Sequence, residues 1–221
     1  MLRLLQSGLV ALGLISAAGS GAAKEAAQST VMRFARAFLG EAAVARLSDP
    51  AATGYEALDM MEVDLDSTRP DQFEDGIWGQ ILISEMLDHS EMAIWLDWKF
   101  NVLTMVNDDD WDDQLGTLFS LYGVAPLTDN ERTEVLAKAQ AAYGDRPEVM
   151  MFPDLQPLAE RRGYRLMVFE NQSDGMALFM VPLEEAEAWH LTHLGHVLII
   201  DAAAGIVADP RSGGRPRLLT N

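Results

Sequence analysis

The chain has 221 residues, of which 49% are hydrophobic and 23% charged, a balance that builds one sizeable core and excludes intrinsic disorder. Its 16 lysines and arginines against 34 acids leave a formal net charge of −18. That argues against nucleic acid or an anionic membrane as partner, because both need clustered cations, and fits a cationic partner or a divalent metal. The absence of cysteine excludes disulfides, cysteine-ligated zinc, iron–sulfur clusters and thiol catalysis.

Residues 4–23 carry no charge. Arg3 and the terminal amine give a positive start, Gly8 to Ala18 are apolar, and Ser20, Gly21, Ala22 and Ala23 offer small-residue cleavage positions. This is the layout of a secretory signal peptide, too short in its apolar part for a comfortable span. The pattern favours export over the alternative, an ordinary N-terminal helix packing Leu5, Leu9, Leu12 and Ile15.

From Lys24 to about Leu47, Val31, Phe34, Phe38 and Leu39 recur at helical spacing, and Ser48-Asp49-Pro50 ends that helix. Residues 55–113 hold 17 acids against Arg69 and Lys99, and so carry −15 of the total −18. Within them, Ile77 to Leu87 predicts an amphipathic helix. Met92 to Phe100 alternates, with Ile94, Leu96, Trp98 and Phe100 on one face and Trp95, Asp97 and Lys99 on the other, which is the pattern of a half-buried strand. The run Asp108 to Asp113 precedes Leu115, Leu118, Phe119 and Tyr122 and complements the dipole of a helix starting there.

Thr128-Asp129-Asn130-Glu131 has the spacing of a capping box for a helix reaching about Tyr143. A further helix starts at Pro153 and stops at Gly163. Tyr164 to Glu170 and Met176 to Val181, joined by a polar loop with glycine, predict a hairpin. Leu183 to His193 predicts a helix closed by Gly195, Val197 to Ile200 a buried strand, and Ile206-Val207 a strand pairing back on it. The fold class is therefore α+β: a mostly antiparallel or mixed sheet of about four to five strands, covered by helices on one side. It reads as a single domain over residues 24–210, with a basic tail, 211–221, that frays.

His190, His193 and His196 fall within seven residues. On a helix, His190 and His193 lie near one face, with Glu187 one turn earlier, so the four could share a divalent metal, the only cofactor the sequence suggests. The competing reading is histidine at a helix C-terminus interacting with free carbonyls, and the H-E-x-x-H pattern is absent. Asp64-Leu65-Asp66-Ser67-Thr68 matches the start of haloacid-dehalogenase-like phosphotransferases, with Lys99, Asp109 and Asp110 as conceivable later members. The parallel sheet that chemistry needs is not indicated. The acidic runs Asp64 to Asp75 and Asp108 to Asp113 could bind Ca²⁺ weakly, but neither follows the EF-hand loop. Trp95, Asp97 and Lys99 share one strand face and, if it is open, form a recognition surface together with Asp108, Asp109 and Asp110.

Asp97-Trp98-Lys99, Arg162-Gly163-Tyr164-Arg165-Leu166 and Ser173-Asp174-Gly175 through Val181-Pro182 together resemble a family of bacterial proteins known as domain of unknown function 6630, over roughly residues 80–195. The resemblance implies an α+β fold and no catalytic residue. These observations set two expectations. The first is a binding protein that engages a cationic partner through residues 55–113, with an immunity-type role as an analogy. The second is a metal-dependent hydrolase built on His190, His193 and His196.

Overall fold

A computed structural model of the chain describes residues 25–55, 77–97, 110–143, 151–170, 175–195, 197–203, 206–208 and 216–218. They fall into two compact units: the described parts of Met1–Ser84 with His193–His196, and those of Glu85–Thr192 with Val197–Asn221.

In the first unit, helix α1 covers residues 25–38 and buries Ala27, Val31, Phe34 and Ala35. The sequence predicts one helix as far as Leu47, but the chain breaks at Gly40, whose φ of +83° only glycine adopts without strain. Helix α2 (Glu41–Ser48) then restarts and buries Ala43, Val44 and Leu47. As expected, Ser48-Asp49-Pro50 ends it. The same residues open α3 (Pro50–Thr53), with proline in its first turn and the Asp49 carboxylate accepting the Ala52 N–H at 3.3 Å. Helix α4 (Ile77–Ser84) is buried nearly all round and passes into a π-turn over Glu85–His89.

The second unit is built on antiparallel strands. β1 (Ala93–Asp97), β2 (Tyr164–Glu170), β3 (Gly175–Pro182) and β5 (Val197–Asp201) belong to this unit, β4 (Thr192–Leu194) begins in it at Thr192, and the strand order is β1-β3-β2-β5-β4. The expected hairpin is present: β2 and β3 pair from Tyr164↔Pro182 to Phe169↔Ala177. Helices α5 (Asp110–Leu121), α6 (Asp129–Tyr143) and α7 (Met151–Glu160) contribute Leu115, Leu118, Phe119, Val135, Leu155 and Leu158 to a core shared with Leu96, Leu166, Val168, Leu178 and Ile200 of the sheet. The architecture is thus α+β, as the sequence predicts. Met167, Phe169, Phe179 and Ile199 lie on the alternate face and are equally closed to solvent. The apolar runs of β2 and β3, continuous rather than alternating, are the chemical counterpart of that burial on both faces.

Two further expectations are corrected. The predicted helix from Leu183 to His193 is one turn only, α8 (Ala186–Trp189). His190 leaves it extended, Leu191 sits at φ 61°, and the Leu191 N–H donates to the Ile199 carbonyl at 2.8 Å rather than to a helical one. The His190 Nδ1 meanwhile accepts the Asp201 N–H at 3.0 Å, so the end of β5 captures the chain before a second helical turn forms. The second correction concerns β6 (Ile206–Ala208), which pairs not with β5 but with β7 (Pro216–Leu218) in a separate two-stranded sheet. Pro216–Leu218, expected to fray with the tail, is therefore a strand.

Candidate functional site

The turn into β1 departs from regular helical geometry. Along α4, the positions Ile77 and Ile81 define a buried stripe, and one turn later the same stripe holds Glu85, which is fully buried. A carboxylate in that position must be partnered or neutralised. The π-turn supplies a partner: the Ser90 N–H donates to the Glu85 carbonyl at 2.8 Å, and the Ser90 hydroxyl donates to the Glu85 carboxylate. Glu91 then takes a left-handed φ of 49°, costly for a non-glycine residue, and the Met92 N–H closes on the Met86 carbonyl at 2.8 Å. Single π-turns inside α-helices recur at functional sites, which directs attention to what this one positions. It positions β1.

Tyr122, just past α5, fixes the start of that strand. The β1–β3 ladder pairs Ala93 with Phe179, so the next pair in register is Met92 and Met180. The Tyr122 hydroxyl stands in the ladder at that step, accepting the Met180 N–H at 3.1 Å and donating to the Met92 carbonyl at 2.7 Å. The Tyr164 ring packs edge-on against it at 5.4 Å. Burial raises the pKa of the hydroxyl far above its ordinary value, and the backbone bond from Met180 only partly opposes that. Replacing Tyr122 by phenylalanine leaves two backbone groups unpaired and is expected to cost about 2 kcal/mol in urea unfolding. The raised pKa adds a sign. The folded state keeps the proton longer than the unfolded one, so this contribution is full below about pH 10 and falls as pH rises above it. In Tyr122→Phe, that alkaline loss should be smaller by this one group's share.

From this seat Trp95 projects outward. It is 41% exposed, whereas Trp78 and Trp189 are 2% and 5% exposed. Its pairing partner on β3 is the small Ala177, while Ile94 and Leu96 turn into the core. Exposed Asp88 and Glu91 precede the strand, and Asp97 ends it opposite Gly175. Of the remaining expected binding residues, Asp110 begins α5, and Lys99, Asp108 and Asp109 lie outside the described residues. So do Asp64 to Asp75 and therefore the phosphotransferase-like motif.

The expected metal residues do not share a helix face. Glu187 lies on α8, His190 in the turn after it, and His193 on β4, while His196 is outside the described residues. The Nδ1 of His190 is occupied by the Asp201 N–H, which leaves only Nε2 for a ligand. Asp201 is itself engaged: its Oδ1 accepts the Ala203 N–H at 2.8 Å, and its Oδ2 lies 3.2 Å from the Arg165 Nε. Glu160 pairs with Arg165 from the other side at 3.0 Å. Among the described residues, no group of three or more histidine or acidic side chains is placed to hold a metal ion.

Sequence reasoning reached Trp95 and Asp97 but passed over Glu85, Ser90 and Tyr122. A signal existed for Glu85, an acid on the apolar stripe one turn after Ile81. None existed for Tyr122, because its role depends on the register of two distant strands.

A family model described as a domain of unknown function (DUF6630) matches residues 31–202. No curated protein and no solved structure matches the chain.

Proposed function

The chain belongs to the family described as a domain of unknown function (DUF6630), and from that premise we propose that it is an interaction protein that engages a cationic partner at the π-turn and β1. The observation that carries this reading is the exposure of Trp95 on an edge strand whose position is fixed from behind. Large aromatics set on rigid elements are the usual anchors of interfaces, because they contribute contact area at little cost in side-chain freedom. Charge selects the class of partner. β1 lies within the segment that carries −15 of the −18, so a positive surface is steered toward it and a negative one is repelled.

The reading is tested by titrating the protein with a lysine homopolymer of about 20 residues and following heat release. Binding is expected at about 20 mM salt and should weaken roughly tenfold or more by about 300 mM, as screening shortens the reach of the charges. A glutamate homopolymer should not bind. Absence of binding at low salt, or an affinity indifferent to salt, overturns the reading.

A further inference from the structure

We propose that the outer edge of β1 is a strand-addition site, filled by an extended lysine- or arginine-bearing segment of a partner protein; this deepens the cationic-partner reading and rests on it. β1 ends the five-stranded order, and among the described residues its ladder is made to β3 alone. In an antiparallel pair, alternate residues direct their N–H and C=O toward the neighbouring strand, and those between direct theirs away from it. Among the described residues, this five-residue edge strand therefore has outward backbone donors and acceptors that one more strand can satisfy. Proteins commonly protect such an edge with proline or lysine. Ala93-Ile94-Trp95-Leu96-Asp97 contains neither.

The edge is also held in shape before any partner arrives. The π-turn, with its Glu85–Ser90 bond, fixes the entry to β1, and the Tyr122 hydroxyl ties Met92 to Met180 at the first step of the ladder. A template already extended loses little freedom when a second strand pairs with it, so more of the new backbone bonding appears as affinity.

Charge decides which strand. A second copy of the chain would bring another net −18 to an edge that already lies in the acidic segment, and like charges oppose that pairing. A cationic segment gains from the same field. A lysine or arginine on the Trp95 side of the added strand could also reach the exposed indole face, which attracts cations.

The probe is a fluorescein-labelled peptide of alternating lysine and valine, about eight residues long, added to the full chain at about 50 mM salt and followed by anisotropy. A second peptide has the same sequence with methyl groups on alternate backbone nitrogens, which keeps the charge but blocks a ladder. The plain peptide should bind, and methylation should weaken it at least tenfold or so, since each lost ladder bond strands a polar group. Trp95→Ala should weaken the plain peptide roughly threefold to tenfold by removing the cation's aromatic partner. Amide exchange over residues 93–97 should slow when the plain peptide is added.

If the methylated peptide binds as well as the plain one, strand addition is overturned while the cationic-partner reading stands. If neither peptide binds, both fail together. Amides of β1 that are all protected before peptide is added, or sedimentation of the protein alone as a dimer, show the edge already covered and overturn the proposal. The methylated peptide acts on the unaltered protein, so the test does not depend on any variant folding.

Discussion

Replacing Arg162 by alanine is expected to lower the unfolding free energy by about 3 kcal/mol, measured as a lower urea midpoint with an unchanged slope. Each N–H of this guanidinium has an acceptor. Nε donates to the Ala125 carbonyl at 2.7 Å; Nη2 donates to the Pro126 carbonyl at 3.0 Å and to Glu131 Oε2 at 2.8 Å; Nη1 donates to the Leu158 carbonyl at 3.0 Å and to Glu131 Oε1 at 3.1 Å. The Phe119 ring lies beneath it at 5.2 Å. One side chain thus ties the α5–α6 loop, the start of α6 and the end of α7 together. Lysine cannot substitute, because a single ammonium has neither the fork nor the number of donors. Arg162→Lys should therefore recover well under half of the loss.

Glu131 makes the same network sensitive to acid. Its carboxylate accepts from Arg162, from the Thr128 N–H at 2.9 Å and from Arg161 at 3.1 Å, and the Arg162 contact above all holds its pKa well below the usual carboxylate range. A depressed pKa stabilises the fold above the unfolded value, near pH 4.5, and that contribution is lost as pH falls below it toward the folded value. In Glu131→Gln, this one acid-dependent step should disappear while the rest of the acid profile stays. An unchanged profile would mean that the carboxylate contributes nothing to acid stability.

Much of this was legible in the chain. The capping box at Thr128 and Glu131 is present, with the Glu131 N–H donating to the Thr128 hydroxyl at 3.3 Å, because its chemistry is confined to four consecutive residues. The β2–β3 hairpin was legible for the same reason: two apolar runs and a short polar loop bring nearby segments together. Expectations failed where a distant backbone group outbid a local preference. Leu183 to His193 has helical spacing, but the Asp201 N–H claims His190 and the Ile199 carbonyl claims the Leu191 N–H. Ile206-Val207 is apolar enough to join β5, yet pairs with Pro216–Leu218, a partner that apolar patterning alone does not specify. The site was legible in part. Alternation along β1 placed Trp95 on the face opposite Ile94 and Leu96, whereas the buried Glu85 required reading an acid on an apolar stripe as a signal rather than as noise.

Phe179→Ala should have the largest effect of any single replacement considered, about 4 kcal/mol, because it deletes a large ring from the middle of the sheet. Phe179 is fully buried on β3, stacks on Phe169 with centroids 4.3 Å apart and planes 20° from parallel, and sits opposite Ala93. Ala93 is too small to fill the space, and Phe169 loses its stacking partner as well as its contact area. Phe179→Leu keeps part of the volume and should cost about 1 to 2 kcal/mol. The consequence is expected to be uneven. β2 retains β5 on its other side, but β1 depends on β3 for the ladder described, so exchange over residues 93–97 should rise more than exchange over residues 164–170. That difference bears on the site. If β1 loosens first and the lysine–valine peptide weakens in proportion, the edge binds because it is held extended; equal loosening of β1 and β2 would separate binding from the rigidity of the strand.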